Sequence, residues 1–126
     1  MTIQEALDLT DEMKPNSMNR RTKIQFLSEL DQLIHAEILM KHFHTPQQAA
    51  KPVYSEETDP GTVLLAPDPY GRDVYTSWLM AKIDRLNQED GRFNIDTAHF
   101  ESAYQTLCDW WNRTYPPISR HREIRI

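Results

Sequence analysis

Met18-Asn19-Arg20-Arg21-Thr22-Lys23-Ile24-Gln25-Phe26-Leu27-Ser28-Glu29-Leu30-Asp31-Gln32-Leu33-Ile34-His35-Ala36-Glu37-Ile38-Leu39-Met40-Lys41-His42-Phe43 carries the longest periodic pattern in the chain. Ile24, Leu27, Leu30, Ile34 and Ile38 recur at spacings of three and four, while Lys23, Glu29, Gln32 and Lys41 fall mostly off that stripe. Such a stripe predicts an amphipathic helix over 18–43 with one buried face. Upstream, Lys14-Pro15-Asn16 breaks the chain, and Asn16 or Ser17 is placed to cap the helix that follows.

The neighbouring segments extend the same reading. Thr2 to Met13 is a short helix, with Thr2 and Glu5 as a capping box and Ile3, Ala6, Leu7 and Thr10 on one face. Residues 44–67 hold Pro46, Pro52, Pro60, Pro67 and Gly61, which exclude helix from most of the stretch. Val53-Tyr54 and Val63-Leu64-Leu65 flank its acidic turn, either as a short β-hairpin or within a long central loop. Leu64 and Leu65 favour a docked segment, since each is worth roughly 1.5–3 kcal/mol when buried. Asp68-Pro69 opens a third helix, running to about Glu89, with the carboxylate as its cap. Its rows Val74–Trp78–Ala81 and Tyr75–Leu79–Ile83–Leu86 predict a central helix buried on more than one side. A fourth helix starts at Asn94 or Asp96 and ends near Arg113, with Phe100, Tyr104, Leu107 and Trp111 as its stripe. The fold class is therefore mainly α: a single domain over 1–126 with four helices, a long loop or hairpin at 44–67 and an extended tail at 118–126.

Composition narrows the function classes. A net charge of −5 argues against a dedicated nucleic-acid binder, which carries a strongly basic face. No apolar run approaches the roughly 20 residues needed to span a bilayer. With Cys108 alone no internal disulfide forms, and the expected compartment is the cytoplasm. Only Gly61, Gly71 and Gly91 are present, so no glycine-rich phosphate loop exists, and no nucleophile elbow occurs. Catalysis is not expected, and neither is a cofactor.

Individual polar residues receive structural readings. Asp31, His35, His42 and His44 are the best metal candidates, but His35 and His42 stand roughly 10 Å apart along a helix. They are expected instead as surface histidines at a helix end. Asp31 and Asp84 beside apolar stripes suggest ion pairs with arginines of facing helices, such as Arg113. Cys108 is expected in packing, with Asp109 opposing thiolate formation. Trp110 and Trp111 point about 100° apart on a helix, so Trp111 is assigned to the core and Trp110 to a contact.

Several blocks of the sequence also resemble a known family. Lys14-Pro15-Asn16 and Phe26-Leu27-Ser28-Glu29-Leu30-Asp31 are similar to the opening of small tailed-phage and prophage proteins. Leu64-Leu65-Ala66-Pro67-Asp68-Pro69-Tyr70, then Tyr75 and Ile83-Asp84, resemble the middle of that family. Phe100, Tyr104 and Trp111-Asn112-Arg113-Thr114 match its closing pattern, in order across nearly the whole chain. Two departures are visible: Gly71-Arg72 precede Asp73 where the family has an acid directly after Pro-Tyr, and Asn94 is followed by Ile95 rather than a second Asn. The resemblance is to head–tail connector (adaptor, or head-completion) proteins, and implies a virion protein assembled in a bacterial host's cytoplasm. It also implies a homo-oligomeric ring below the portal, partnered by portal and tail-side neck proteins.

On that reading the expected intersubunit or partner contacts are Val53, Tyr54, Leu64, Leu65 and Trp110, together with Arg120, Arg122, Ile124, Arg125 and Ile126 of the tail. The basic tail, or Arg20 and Arg21, would alternatively make non-specific contact with DNA in a ring lumen. The competing class is a small helical regulatory or DNA-binding protein of a mobile element, supported by Arg20-Arg21 near a helix start.

Overall fold

Helix α1, Ile3–Met13, starts where Thr2 predicts: its hydroxyl accepts from the Glu5 amide at 3.1 Å, and the Glu5 carboxylate accepts from the Thr2 amide at 2.8 Å. Ile3, Ala6, Leu7 and Thr10 are its buried face. The computed structural model describes residues 1–118; the tail residues Arg120, Arg122, Ile124, Arg125 and Ile126 lie outside the described residues.

Helix α2, Arg20–Glu37, buries the predicted stripe, with Leu27, Leu30 and Ile34 fully enclosed. It is capped by Asn19, not by Asn16 or Ser17; Asn16 serves the preceding turn by accepting from the Met18 amide. The helix also stops short of Phe43. After Ile38 the chain tightens into a 3-10 turn over Leu39–Lys41. That change of pitch lets the adjacent residues Ile38 and Leu39 both be buried, which a continuing α-helix would not do easily.

Residues 44–67 do not form the hairpin. A 3-10 turn occupies Pro46–Ala49; the rest is irregular and largely exposed, docking on the helices at Tyr54 and over 64–67. Val63 makes an antiparallel bridge to Thr2, and the Pro60 and Thr62 carbonyls accept from the Gln4 and Ile3 amides at 3.0 Å. These carbonyls serve amide groups that the first turn of any helix leaves without an internal partner. Leu64 and Ala66 are buried in the core, as a docked segment requires.

Helix α3, Tyr70–Leu86, contacts α1, α2 and α4 and is the central helix anticipated from its two apolar rows. Val74, Tyr75, Leu79 and Ile83 are fully buried, whereas Leu86 is exposed. Asp68 does not cap it; its carboxylate lies 3.3 Å from the Met1 amino group, and Pro69 takes the cap position without a side-chain bond. Gly71 sits where a Cβ would come within 2.5 Å of the Ala66 carbonyl oxygen. Gly71→Ala is therefore expected to destabilise by about 1–3 kcal/mol, because the obstacle is backbone. Urea titration measures it, and an unchanged midpoint would show that the 66–71 corner has room to give.

Helix α4, Asp90–Thr114, begins earlier than Asn94 or Asp96. Gly91, which follows the expected end of the third helix near Glu89 and would ordinarily mark a break, is inside the first turn, where glycine costs only about 1 kcal/mol relative to alanine. The reversal is made instead by Asn87-Gln88-Glu89, with Gln88 at φ 59° and the Glu89 amide bonded to the Asp84 carbonyl at 2.9 Å. The described residues thus form a mainly helical domain with four α-helices, in which α3 and α4 are a closely packed antiparallel pair.

Candidate functional site

Two buried polar clusters hold the helices and the long segment together. In the first, Asp31 on α2 has no exposed surface. Its Oδ2 accepts from the Tyr54 hydroxyl at 2.5 Å and the Leu65 amide at 3.0 Å; its Oδ1 accepts from the Tyr75 hydroxyl at 2.5 Å. Tyr75 in turn accepts from the Ala66 amide at 2.8 Å, and Ser28 accepts from the Tyr54 amide at 3.0 Å. One carboxylate therefore satisfies groups from α3 and from both ends of the 54–66 stretch. The expected arginine partner is replaced by tyrosine hydroxyls and backbone amides, which stabilise a buried carboxylate without bringing in a second charge. Burial nevertheless pushes the Asp31 carboxyl above its usual range, against these bonds, and raises both tyrosine hydroxyls.

The second cluster joins α1, α3 and α4. Lys14, at the end of α1, bonds to Asp84 of α3, and its ammonium lies 3.7 Å from Asp96 of α4. Asp84 is fully buried, and among the described residues its second oxygen receives no hydrogen bond while Asp96 is ionised. The early start of α4 and the tight reversal bring the two aspartates together across the helical pair. Again the cation is lysine rather than an arginine such as Arg113, which is exposed. Burial, followed by the hydrogen bond and repulsion from Asp84, raises the Asp96 carboxyl to about 6, with Lys14 and His99 opposing. A carboxyl raised in the folded state gives stability that is complete below about 3.9. It is lost as pH rises through the folded value near 6. Asp96→Asn, which keeps the shape of the protonated form, is expected to raise stability at pH 7.5 by about 1 kcal/mol, the carboxyl lying at the edge of solvent. It is also expected to flatten the change in urea midpoint between about pH 4 and 6. An unaltered pH profile would rule out Asp96 as the titrating group.

Beside this cluster a groove of about 320 Å³ opens along α3 and α4, with Asp73, Asp96 and His99 among its polar walls and Met13, Met80 and Ala103 among its apolar ones. At its end, Tyr70 lies 5.4 Å from Trp110, centroid to centroid, and Trp110 meets Trp111 and Tyr115 edge-on at 5.7 and 5.9 Å. Trp111 is buried, as assigned, and Trp110 is half-buried in this aromatic seam.

The remaining contact candidates divide. Leu64 is 3% exposed and belongs to the core of the chain itself, and Tyr54 spends its hydroxyl on Asp31. Leu65 is half-buried. Val53 and Val63, at 68% and 66% exposure, are exposed apolar side chains of the segment, and Phe43, at 63%, directly precedes it. Phe43 and Val63 are the residues that sequence reasoning missed; no period of two or four marks them, because their exposure follows from how the loop docks.

Two of the three candidate histidines are not the surface residues expected, while His44 is half-buried and bonds to the His42 carbonyl at 2.8 Å. His35 is buried and donates to the Gln48 carbonyl at 3.0 Å; His42 is buried between the Ile38 carbonyl at 2.7 Å and the Asn112 side-chain amide at 2.8 Å. Among the described residues, no three His, Cys, Asp or Glu side chains gather as metal ligands. Cys108 is half-buried, and burial with Asp109 and Glu37 nearby raises its thiol. Arg20 bonds to Gln4 at 2.9 Å, while Arg21 is exposed. No described helix is long and apolar enough to cross a membrane. No family model, curated protein or solved structure matches the chain.

Proposed function

We propose that this chain is a non-catalytic virion subunit, a head–tail connector that assembles as a ring between the portal and the tail of a phage or prophage particle. One observation carries the reading. The blocks that resemble connector proteins are scattered along the sequence, yet their polar members meet in space. Lys14 of the first block pairs with Asp84 of the middle one, and Asp31 receives Leu65 and Tyr75. Phe100 and Tyr104 of the closing block stack at 5.6 Å, and Trp78 of α3 lies 5.0 Å from Phe100. A pattern that survives as two internal joints is what a shared fold would leave behind, whereas unrelated local matches have no reason to converge.

The joints also suit an assembly role. Buried polar networks fix one register of packing more than they add stability, and a ring subunit must present the same faces each time. The fully enclosed Asp84 is poorly placed to reach a substrate, which favours a structural role for the carboxyl pair over a catalytic one. Val53, Val63 and Phe43 supply apolar surface for a partner.

The test is co-sedimentation of the purified chain with isolated portal rings of a related prophage, followed by electron microscopy of the complex. A ring of this chain capping the portal is the expected result. No association with portals, combined with a salt-sensitive shift of duplex DNA in a gel, would overturn the reading in favour of the small DNA-binding protein.

A further inference from the structure

We propose that the groove between α3 and α4 is the receptor for the arginine-bearing segment 119–126 of a neighbouring copy, making a head-to-tail interface. This rests on the connector reading and names the surfaces through which its subunits would meet.

Three hydroxyls of the groove wall are set to accept hydrogen bonds from a ligand. The Thr76 hydroxyl donates to the Arg72 carbonyl at 2.7 Å, Ser77 to the Asp73 carbonyl at 2.5 Å, and Thr106 to the Ser102 carbonyl at 3.0 Å. With their protons directed back to their own helices, these hydroxyls turn lone pairs toward a ligand. Asp73 and Asp96 add carboxylates, and Asp96 already shares the single Lys14 ammonium with Asp84. An arriving guanidinium meets the Asp73 and Asp96 carboxylates of the groove wall with a fork of donors matched to carboxylate geometry. Met13, Met80 and Ala103 give the aliphatic stems a surface to lie on.

The sequence beyond the described residues has that chemistry: Arg120, Arg122 and Arg125 with Ile124 and Ile126, against one acid, Glu123. Its point of departure indicates whose groove it fills. Ile118 donates to the Lys41 carbonyl at 2.9 Å, and the Pro116 carbonyl accepts from Phe43 at 3.1 Å, so the chain leaves beside the end of α2. The face of α4 turned that way bears Tyr104 and Asn112, which bond to Glu37 and His42. His99, Ala103 and Thr106, on the groove side, lie roughly 100–180° round the helix from these, at about 100° per residue. Donor segment and receptor thus face opposite ways on one subunit, the arrangement that closes into rings when copies are related by rotation. Extended, residues 119–126 reach up to about 28 Å, ample to cross to a neighbour.

The experiment pairs two full-length variants with lesions on opposite sides of the interface. Arg120→Glu/Arg122→Glu/Arg125→Glu spoils the segment; Asp73→Lys/Thr106→Lys, both exposed positions, spoils the groove. The first variant, labelled with nitrogen-15, is titrated with the unlabelled second at low salt. Amide shifts at Thr76, Ser77 and Ser102 are expected, at least tenfold weaker when the added protein also carries the segment lesion, and reduced by salt. The absence of shifts up to millimolar concentration overturns the inference. So does a groove shift between wild type and segment variant that persists on dilution, which would place the segment in its own subunit's groove. Portal co-sedimentation of the segment variant separates the two ideas: binding to portals without groove shifts leaves the connector reading standing and removes only this interface.

Discussion

Asp31→Ala is expected to lower the stability of the fold by about 3–4 kcal/mol, because a buried polar group left without its partner costs about 1–3 kcal/mol and several are orphaned at once. The Tyr75 hydroxyl is fully enclosed, and the Leu65 amide and Tyr54 hydroxyl lose their acceptor in the same step. Asp31→Asn should recover only part of this. Its amide offers one acceptor oxygen where the carboxylate has two, and its NH2 group faces a Tyr75 oxygen already accepting from Ala66. Tyr54→Phe, nearer the surface, should lose about 1 kcal/mol. Urea denaturation gives the totals, and amide exchange locates them. The Leu65 and Ala66 amides should exchange faster in Asp31→Ala than α2 itself does, since the hub fastens the 54–66 segment to the helices. A loss under about 1 kcal/mol with those amides still protected would mean that apolar burial of Leu64 and Ala66 holds the segment unaided.

The helices were legible because their signals are local. A stripe at three and four, a threonine three residues before a glutamate, and a proline-rich interruption each report on a few neighbouring residues. α1 and its capping box, the buried face of α2 and the central place of α3 follow from such patterns. The joints were not legible, because their members lie far apart: Asp31 and Tyr75, or Lys14 and Asp84, are brought together only by packing. Sequence drew attention to both aspartates, as acids beside apolar stripes, yet pointed to arginine partners. For Asp31 the buried geometry favours partners that deliver donors at low desolvation cost, tyrosine hydroxyls and amides; for Asp84 the end of α1 brings a lysine within reach where none of the described arginines is placed. His42 illustrates the same limit. It looked like an exposed histidine because nothing local indicates that Pro116 and Pro117 return the chain over it. The start of α4 was misplaced because Gly91 reads as a stop, while the reversal depends on Gln88 adopting a left-handed backbone that its residue type does not announce.

The same reasoning sets the effect of removing Lys14. Lys14→Met keeps most of the aliphatic stem but leaves Asp84, which has no exposed surface, beside Asp96 with no cation between them. Breaking a buried ion pair on one side typically costs about 3–5 kcal/mol, since the remaining charge is neither solvated nor matched. The loss should depend on pH in a specific direction. Removing the ammonium takes away a charge that holds the Asp96 carboxyl down, so that carboxyl rises further; the variant recovers as pH falls and Asp96 takes up a proton, and it is weakest above neutrality. Wild type, with Asp96 already near 6, should show a shallower form of the same trend. Lys14→Met/Asp84→Asn should regain about half of the deficit, because the amide needs no counter-charge, and the pair of variants forms a double-mutant cycle. Because Lys14 ties the end of α1 to the α3–α4 pair, the damage should begin there. Amide exchange in α1 should rise before that of α3, even though Lys23 still holds Asp11 at 2.6 Å. If instead Lys14→Met unfolds at the wild-type urea midpoint at pH 8, the ammonium is not what holds the three helices in register, and the apolar packing of α1 against α3 carries that role unaided.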